Sequence, residues 1–316
     1  GWFGQYHRLH TFVGRPHAEI AHTRGDFTWG NVYDFGFMTE SGSGWFVSGM
    51  HIGGPNVFDT MVQPRINRLN TDDADNLDPD QGEVEPVFPV QDRNDNRTHA
   101  RDYFLMDSVN VANVSGIEFN KIWRLKPFHN GSIIEPFIGV RYFKLKNLHR
   151  RDTYITTDIT FVDNPDPNTT DVIENYTTNQ SVWENDMFGG QLGFRWSDRR
   201  GRWTMSSEVR GFGAQNFQAF SSQIDSIQTQ YNNVMLNAMV VTESITRTRT
   251  AASANEFVFG FDIRAEAAFE LTRDIAFTTG VHVSQIARGI GRTNDALKND
   301  EEFTTVGLLL GLSVNR

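Results

Sequence analysis

Residues 254–286 alternate between apolar and polar side chains over two long runs that are joined by a short turn at Thr272-Arg273-Asp274. Every second residue of the first run is apolar: Phe257, Phe259, Phe261, Ile263, Ala265, Ala267, Phe269 and Leu271. A period of two is that of a β-strand, whose successive side chains point to opposite faces. The first run has about 16 residues, whereas strands of globular proteins usually have five or six. Alternating strands of this length predict a transmembrane β-barrel.

The composition narrows the classes of protein further. Only 38% of the 316 residues are hydrophobic, and no run approaches the 18 or so apolar residues of a membrane-spanning helix. A helical membrane protein is therefore excluded, whereas a barrel is not, because only alternate residues of its strands face lipid. The absence of cysteine excludes disulfides, thiol catalysis and thiolate metal sites. A net charge of −10 argues against a nucleic-acid partner.

Short and long connections alternate strictly along the chain. The short ones are predicted near residues 41–44, 128–131, 198–201 and 271–274, and the long ones near residues 24–31, 53–108, 148–181, 218–253 and 290–302. Short periplasmic turns and longer extracellular loops are typical of outer-membrane barrels. We therefore predict an all-β fold, an antiparallel up-and-down transmembrane barrel of about ten strands with both termini on the periplasmic side.

The same pattern predicts the domain organisation. Residues 17–316 form a single barrel domain whose first strand is predicted at His17–Thr23 and whose main loops span residues 53–107, 148–181 and 218–253. Residues 1–16 show no clean periodicity and form either a periplasmic arm or an extra strand. Twelve strands result if residues 1–16 and part of 53–107 join the barrel.

Four of the seven tryptophans lie within about six residues of a predicted short turn: Trp45, Trp123, Trp196 and Trp203. Membrane barrels carry girdles of aromatic residues at the two membrane interfaces. Bulky aromatic residues also favour strands in general, which is the alternative explanation. The clustering at one end of the strands favours the girdle. Phe257, Phe259, Phe261, Leu308, Leu310 and Leu312 are predicted to face lipid.

The polar positions of the predicted strands carry many charges. Directed into the lumen, they form a predicted network of thirteen residues: Glu118, Arg124, Glu135, Arg141, Glu184, Asp186, Arg195, Glu208, Arg210, Asp262, Arg264, Glu266 and Glu270. Glu184 and Asp186 fit this face only if the strand phase slips at Gly189-Gly190, where a bulge is cheap. Ten strands enclose a narrow lumen, and buried charges need partners. The network is either a paired polar core or a charged constriction that selects solutes.

An acidic stretch at residues 72–85 contains seven carboxylates: Asp72, Asp73, Asp75, Asp78, Asp80, Glu83 and Glu85. Calcium takes six to eight oxygen ligands, so this predicted extracellular loop could hold Ca²⁺. The spacing does not fit an EF-hand, and a solvated acidic loop is the favoured interpretation. No other cofactor is predicted. His7, His10, His17 and His22 match no common metal-binding spacing.

Three stretches resemble a family of outer-membrane β-barrel proteins from planctomycetes. They are GIEFNKIWRLKPFHNGSIIEPFIGVRYFKLK (116–146), ENDMFGGQLGFRWSDRRGRWTMSSEVRGFGAQNFQ (184–218) and EFVFGFDIRAEAAFELTRDIAF (256–277). The resemblance covers roughly residues 100–316. It implies an outer-membrane barrel and transfers no catalytic residue.

Three functions fit these features. The first is a non-enzymatic barrel of the bacterial outer membrane with a structural or surface-assembly role and a closed or very narrow lumen. The second is a solute-selective porin. The third and least favoured is an outer-membrane enzyme with a loop-borne site, because no nucleophile motif such as G-x-S-x-G is present. The expected partners are outer-membrane lipid and copies of the chain or other envelope proteins.

Overall fold

The computed structural model describes residues 1–14, 25–53, 65–70, 102–158, 172–232, 239–293, 295–297 and 299–315. These residues form eleven β-strands: β1 (Trp2–Gly14), β2 (Gly25–Met38), β3 (Ser43–Ile52), β4 (Arg65–Asn70), β5 (Asp102–Trp123), β6 (Ile133–Asp158), β7 (Val172–Arg200), β8 (Trp203–Asn232), β9 (Met239–Glu270), β10 (Ile275–Ile290) and β11 (Glu301–Asn315). The described part of the chain contains no helix long and apolar enough to cross a membrane.

Ten of the strands close into an antiparallel barrel, which confirms the predicted fold class. Sequential strands are neighbours, β1 pairs with β11, and β3 pairs with β5. The short strand β4 pairs with Asp102–Asp107, the outermost part of β5, and lies beyond the barrel wall. The β1–β11 and β3–β5 pairings close the ring of strands. Every strand of the wall therefore has two hydrogen-bonded neighbours, and the wall has no open sheet edge.

The strands are staggered around the barrel. A path of paired residues that starts at Asp186 on β7 crosses all ten strands and returns to β7 at Asp198, twelve residues further along. The path runs through Lys144, Ser115, His51, Asn31, Arg8, Leu310, Thr279, Ala267 and Met205. A stagger of this size requires the strands to tilt by roughly 40° from the barrel axis.

The tight turns lie at one end of the barrel, as predicted. Three of them contain a glycine with positive φ, namely Gly42 (78°), Gly131 (86°) and Gly201 (64°). This conformation is readily available only to residues without a Cβ, so these glycines let the strands reverse over a few residues. Both described termini, Gly1 and Asn315, lie at the same end, where they bond to Met38 and Asp274.

The strands are longer than predicted, and the connections at the other end are correspondingly shorter. The predicted loops 148–181 and 218–253 are largely strand, because β6 continues to Asp158, β7 begins at Val172, β8 continues to Asn232 and β9 begins at Met239. The predicted connection at 24–31 also belongs mostly to β2. These extensions are rich in Thr, Ser, Asn and Gln on both faces, so they carry no apolar alternation. Within the predicted loop 53–107, β4 and the start of β5 are strand.

The first wall strand is Trp2–Gly14, so residues 1–16 supply a barrel strand and not a free arm. The strand predicted at His17–Thr23 lies outside the described residues. The number of wall strands is nevertheless ten, because β1 takes the place of that predicted strand.

The outside of the barrel is apolar over the part nearest the tight turns. Phe257, Phe259, Phe261, Leu308, Leu310 and Leu312 are all exposed, as predicted for lipid-facing residues. Trp45, Trp123 and Trp203 point outward near the turns, and Trp196 is half-buried there. Lys121 also points outward, with its Nζ 4.6 Å from the centre of the Trp45 ring. Lys121 is paired with Trp45 in the regular register of β5 with β3. The cation therefore lies at the girdle.

Replacement of Ile263 with arginine tests the position of this apolar belt. Ile263 is the middle member of the outward series Phe257–Phe269 on β9, so we expect the substitution to lower the free energy of unfolding by about 2–4 kcal/mol. The matched control is Ile245→Arg, on the same strand, where the side chain is 67% exposed beyond the belt. Denaturant unfolding in lipid vesicles measures both. Equal losses for the two variants would contradict the proposed depth of the belt.

Candidate functional site

The lumen is divided into layers along the barrel axis. A vestibule opens at the end with the tight turns, a layer of ion pairs lies above it, an apolar layer follows, and a chain segment caps the far mouth. The strands build these layers because inward and outward side chains alternate along each strand.

The vestibule is a cavity of about 880 Å³. Its wall is charged: the lining includes Arg124, Glu135, Arg195, Arg199, Glu208, Arg264, Glu266, Glu270 and Arg273. Arg124 Nε donates to Glu135 Oε1 at 2.6 Å, and Arg199 Nη2 donates to Glu270 Oε2 at 2.7 Å. Most of these charges are therefore paired along the walls. The vestibule ends at the ion-pair layer, of which Glu208 and Arg264 form part.

The ion-pair layer joins strands that are not neighbours. Arg264 on β9 donates to Asp34 on β2, with Nη1 2.7 Å from Oδ2. Arg141 on β6 donates to Asp262 on β9. Because β9 pairs only with β8 and β10 in the sheet, both contacts cross the lumen. The lumen is therefore tied from wall to wall by charged hydrogen bonds.

The remaining members of this layer close the network around the same arginines. Arg210 pairs with Glu118 and with Glu208, and Arg195 Nη2 lies 2.7 Å from Glu208 Oε2. Arg264 Nε lies 3.3 Å from Glu266 Oε1. These side chains are at most 15% exposed, and each cation has a carboxylate within reach. An isolated buried charge is strongly unfavourable, so the mutual pairing is what allows the layer to exist.

The structure leaves little empty space in this layer. A cavity of about 30 Å³ lies among Asp34, Glu118, Arg141, Arg210, Asp262, Arg264 and His282. That volume corresponds to about one water molecule. The described side chains that line this cavity therefore leave room for water but not for a larger solute.

Nine of the thirteen predicted network residues lie on inward positions in or next to this layer: Glu118, Glu135, Arg141, Arg195, Glu208, Arg210, Asp262, Arg264 and Glu266. Arg124 and Glu270 line the vestibule. The prediction missed Asp34, although it occupies a polar position between Tyr33 and Phe35. Its alternation with these aromatic residues is the signal that could have identified it.

The predicted inward orientation is wrong for Glu184 and Asp186. Trp183, Asn185 and Met187 are the buried, inward residues of this part of β7, and the two acids point outward. Glu184 lies 3.1 Å from Lys144 Nζ and 2.9 Å from Lys146 Nζ. The pairing of β7 runs without a shift through Gly189 and Gly190, so the predicted bulge is absent there. The acids face outward because β6 places lysines beside them at the outer edge of the belt.

Above the ion pairs the lumen is filled by apolar side chains. Sixteen residues from all around the wall form one buried cluster: Leu9, Val13, Val32, Ile52, Ala112, Val114, Phe143, Leu145, Met187, Phe212, Ala214, Val258, Ile286, Ile290, Phe303 and Leu309. The Phe143 and Phe303 rings lie 6.4 Å apart. A layer of this kind excludes water and ions, because transfer of an ion into an apolar medium is strongly unfavourable.

The segment from Gly289 to Thr293 caps the far end of the apolar layer. Asn185 Nδ2 donates to the Gly291 carbonyl and Asn185 Oδ1 accepts from the Gly291 amide, both at 2.9 Å. Trp183 Nε1 donates to the Thr293 carbonyl at 2.7 Å. A Cβ on Gly291 would lie 2.1 Å from the Trp183 ring, so only glycine fits against it. The cap is therefore held by hydrogen bonds from inward residues of β7, together with Asn147 of β6 and Asn216 and Gln218 of β8.

His149 lies next to these upper layers, beyond Lys144 and Lys146 toward the outer end of β6. Burial and the nearby Arg151 cation lower the pKa of His149 to about 4. An unfolded chain binds this proton near pH 6.5, so stability is expected to fall as the pH drops from about 6.5 to about 4. The His149→Gln variant should therefore lose less stability than the wild-type protein over the same pH range. Unfolding midpoints in micelles at several pH values measure it, and an identical pH profile for the two proteins would contradict the assignment.

The acidic stretch at 72–85 lies outside the described residues, so calcium binding there stays a prediction. Among the described residues, no group of three His, Cys, Asp or Glu side chains is arranged to hold a metal ion. His7 and His10 lie on opposite faces of β1, inward and outward respectively.

Comparison with known proteins adds no assignment of function. No protein-family model and no curated protein matches the chain. The transport unit of the autotransporter AIDA-I from Escherichia coli aligns over 100% of this chain and 90% of its own, with 8% identity and a TM-score of 0.28. A Pseudomonas aeruginosa FadL homologue covers 99% and 89%, with 7% identity and a TM-score of 0.23. A refined porin structure covers 98% and 99%, with 9% identity and a TM-score of 0.17. TM-scores this low carry no argument, and the barrel assignment rests on the strand pairing itself.

Proposed function

We propose that this chain is a bacterial outer-membrane barrel with a structural or surface-assembly role, of the planctomycetal kind that its sequence resembles. The observation that carries the proposal is the closed lumen. Ion pairs cross it from wall to wall, an apolar cluster fills it, and the Gly289–Thr293 segment caps it. A diffusion pore needs a continuous polar path, which this arrangement lacks over the described residues. We therefore favour the scaffold over the porin.

The outer surface supports residence in a membrane. An apolar exterior bounded near the turns by tryptophans matches the belt and girdle of outer-membrane barrels. At the other edge, Lys144, Lys146, Glu184 and Asp186 provide a charged boundary. Beyond this boundary, β6 to β9 extend as a sheet with polar residues on both faces. In the proposed role this extension is the surface that contacts neighbouring envelope components.

Cysteine labelling tests location and orientation together. The chain has no cysteine, so Ile245→Cys and Arg273→Cys each create a single thiol, one on the extension and one in a tight turn. We expect a membrane-impermeant maleimide to label Ile245→Cys in intact cells and Arg273→Cys only after the outer membrane is permeabilised. The reverse pattern would invert the proposed orientation. Recovery of the protein in the soluble fraction would contradict the membrane role.

A further inference from the structure

The outward face of β1 and β2 carries a polar and aromatic patch within the apolar belt. Its members are Tyr6, Arg8, His10, Trp29, Asn31 and Tyr33, which we name the Arg8 patch. Arg8 is exposed, and Tyr6 and Tyr33 are 42% and 52% exposed. The neighbouring outward residues on β11 are Leu308, Leu310 and Leu312, whereas on the other side Asn31 is paired with the exposed His51 of β3, so the patch borders an apolar surface on its β11 side.

The register fixes the depth of this patch. The path of paired residues around the barrel begins at Asp186 and ends at Asp198. Arg8 lies at its midpoint, because five pairings separate it from each end. Asp186 lies at the outer charged boundary, and Asp198 lies beside the turn at Gly201. On a tilted wall each step changes the height by the same amount. Arg8 therefore lies about halfway across the belt, where an arginine facing lipid is most unfavourable.

The patch holds Arg8 in place at this depth. Arg8 Nη1 donates to Asn31 Oδ1 at 2.9 Å, and the Tyr6 hydroxyl donates to the same oxygen at 3.0 Å. The Arg8 guanidinium carbon lies 5.1 Å from the centre of the Trp29 ring. A side chain fixed in this way does not extend toward either membrane surface. Among the described residues, Arg8 has no ion pair with a carboxylate, and Asn31 Oδ1 accepts from one of its five N–H donors.

We propose that the Arg8 patch is the contact between two copies of this chain within the membrane. The inference rests on the proposed membrane role. Two copies in one membrane share their orientation and are related by a two-fold axis along the membrane normal, so groups at equal depth meet. The patch carries donors and acceptors within one step of height, because Arg8 is paired in register with Asn31 and Tyr6 with Tyr33. A second copy therefore complements it.

The composition of the patch agrees with a protein contact. Arg, Tyr and Trp are the residue types that most often dominate interface energies, and they do so where water and lipid are excluded. The Tyr33 hydroxyl of one copy can accept from Arg8 of the other. A bilayer offers no acceptor at this depth, which is why the proposed occupant is a second chain and not a lipid headgroup.

Oligomeric state in nanodiscs, with photo-crosslinking, tests this contact. We expect wild-type protein to form dimers, and Arg8→Leu to weaken dimerisation by about thirtyfold or more, as for a hot-spot residue. Arg247→Leu, an arginine on the exposed part of β9, is the matched control and should leave the dimer unchanged. A photoreactive residue at Tyr33 should cross-link to a second copy, whereas one at Leu192, an outward residue of β7 on the opposite side of the barrel, should not.

The outcomes separate this inference from the proposed function. Inserted protein that stays monomeric, or that cross-links equally from both positions, would overturn the Arg8 contact and leave the membrane role standing. Cross-links from Tyr33 to lipid alone would do the same. Protein that does not enter the bilayer would overturn the membrane role and with it this inference.

Discussion

Replacement of Arg264 with leucine is expected to lower the free energy of unfolding by about 3–5 kcal/mol, because it removes one partner from a buried ion-pair layer. Arg264 is 5% exposed and lies within reach of Asp34, Glu208 and Glu266. Its loss leaves Asp34, which is 3% exposed, without its cation. Denaturant unfolding of the refolded protein in detergent micelles measures the change.

The control for this variant is Arg247→Leu. Arg247 also pairs with a carboxylate, Asp225, but both side chains lie on the exposed extension of the sheet. Exposed ion pairs contribute little to stability, so no measurable loss is expected. The double variant Arg264→Leu with Asp34→Leu should recover part of the loss, because it also removes the stranded charge. Equal losses from Arg264→Leu and Arg247→Leu would contradict the cross-lumen network.

Replacement of Trp183 with alanine is expected to lower the free energy of unfolding by about 3–5 kcal/mol. The loss is similar to that for Arg264→Leu but has a different physical cause. Trp183 is 1% exposed, lies 4.8 Å from the Phe220 ring and holds the cap through the Thr293 carbonyl. The variant therefore creates a cavity and removes the hydrogen bond to Thr293, while the hydrogen bonds between Asn185 and Gly291 remain. Thr293→Cys reports on the second effect, and its labelling by a maleimide should accelerate when Trp183 is replaced.

Trp203→Ala is the matched tryptophan control. Trp203 lies in the girdle and is 50% exposed, so a smaller loss and no change in the labelling of Thr293→Cys are expected. If Trp183→Ala unfolded at the same denaturant concentration as wild-type protein, the cap would not depend on this side chain.

Apolar alternation predicted the wall well wherever one face of a strand meets lipid. Phe257, Phe259 and Phe261 illustrate this, because no inward position of β9 in the belt is aromatic. The same signal vanishes in the extensions of β6 to β9, where both faces of the sheet are polar. Residues such as Thr246 and Thr248 pair with β8 in a regular ladder but give no contrast between faces. Strand ends beyond the belt could not be predicted from hydropathy for this reason.

The inward network was only partly predictable. The presence of a charged residue in a strand does not show whether its side chain faces the lumen or the outside of the barrel. Glu208 and Glu184 are both acidic residues of long strands, yet Glu208 lies inside beside Arg195 and Arg210, and Glu184 lies outside beside Lys144 and Lys146. The difference comes from residues on neighbouring strands, whose register a single sequence does not give. The cap at Gly289–Thr293 was missed because its contacts are made by backbone atoms.

Single-channel conductance across a planar bilayer tests the closed lumen most directly. Protein reconstituted at a density verified by the orientation labelling is expected to produce no stable current steps, because the ion-pair layer and the apolar cluster block the path. A known porin reconstituted in the same bilayers serves as the positive control. Large, stable, ohmic steps from the wild-type protein would contradict the account and favour the porin.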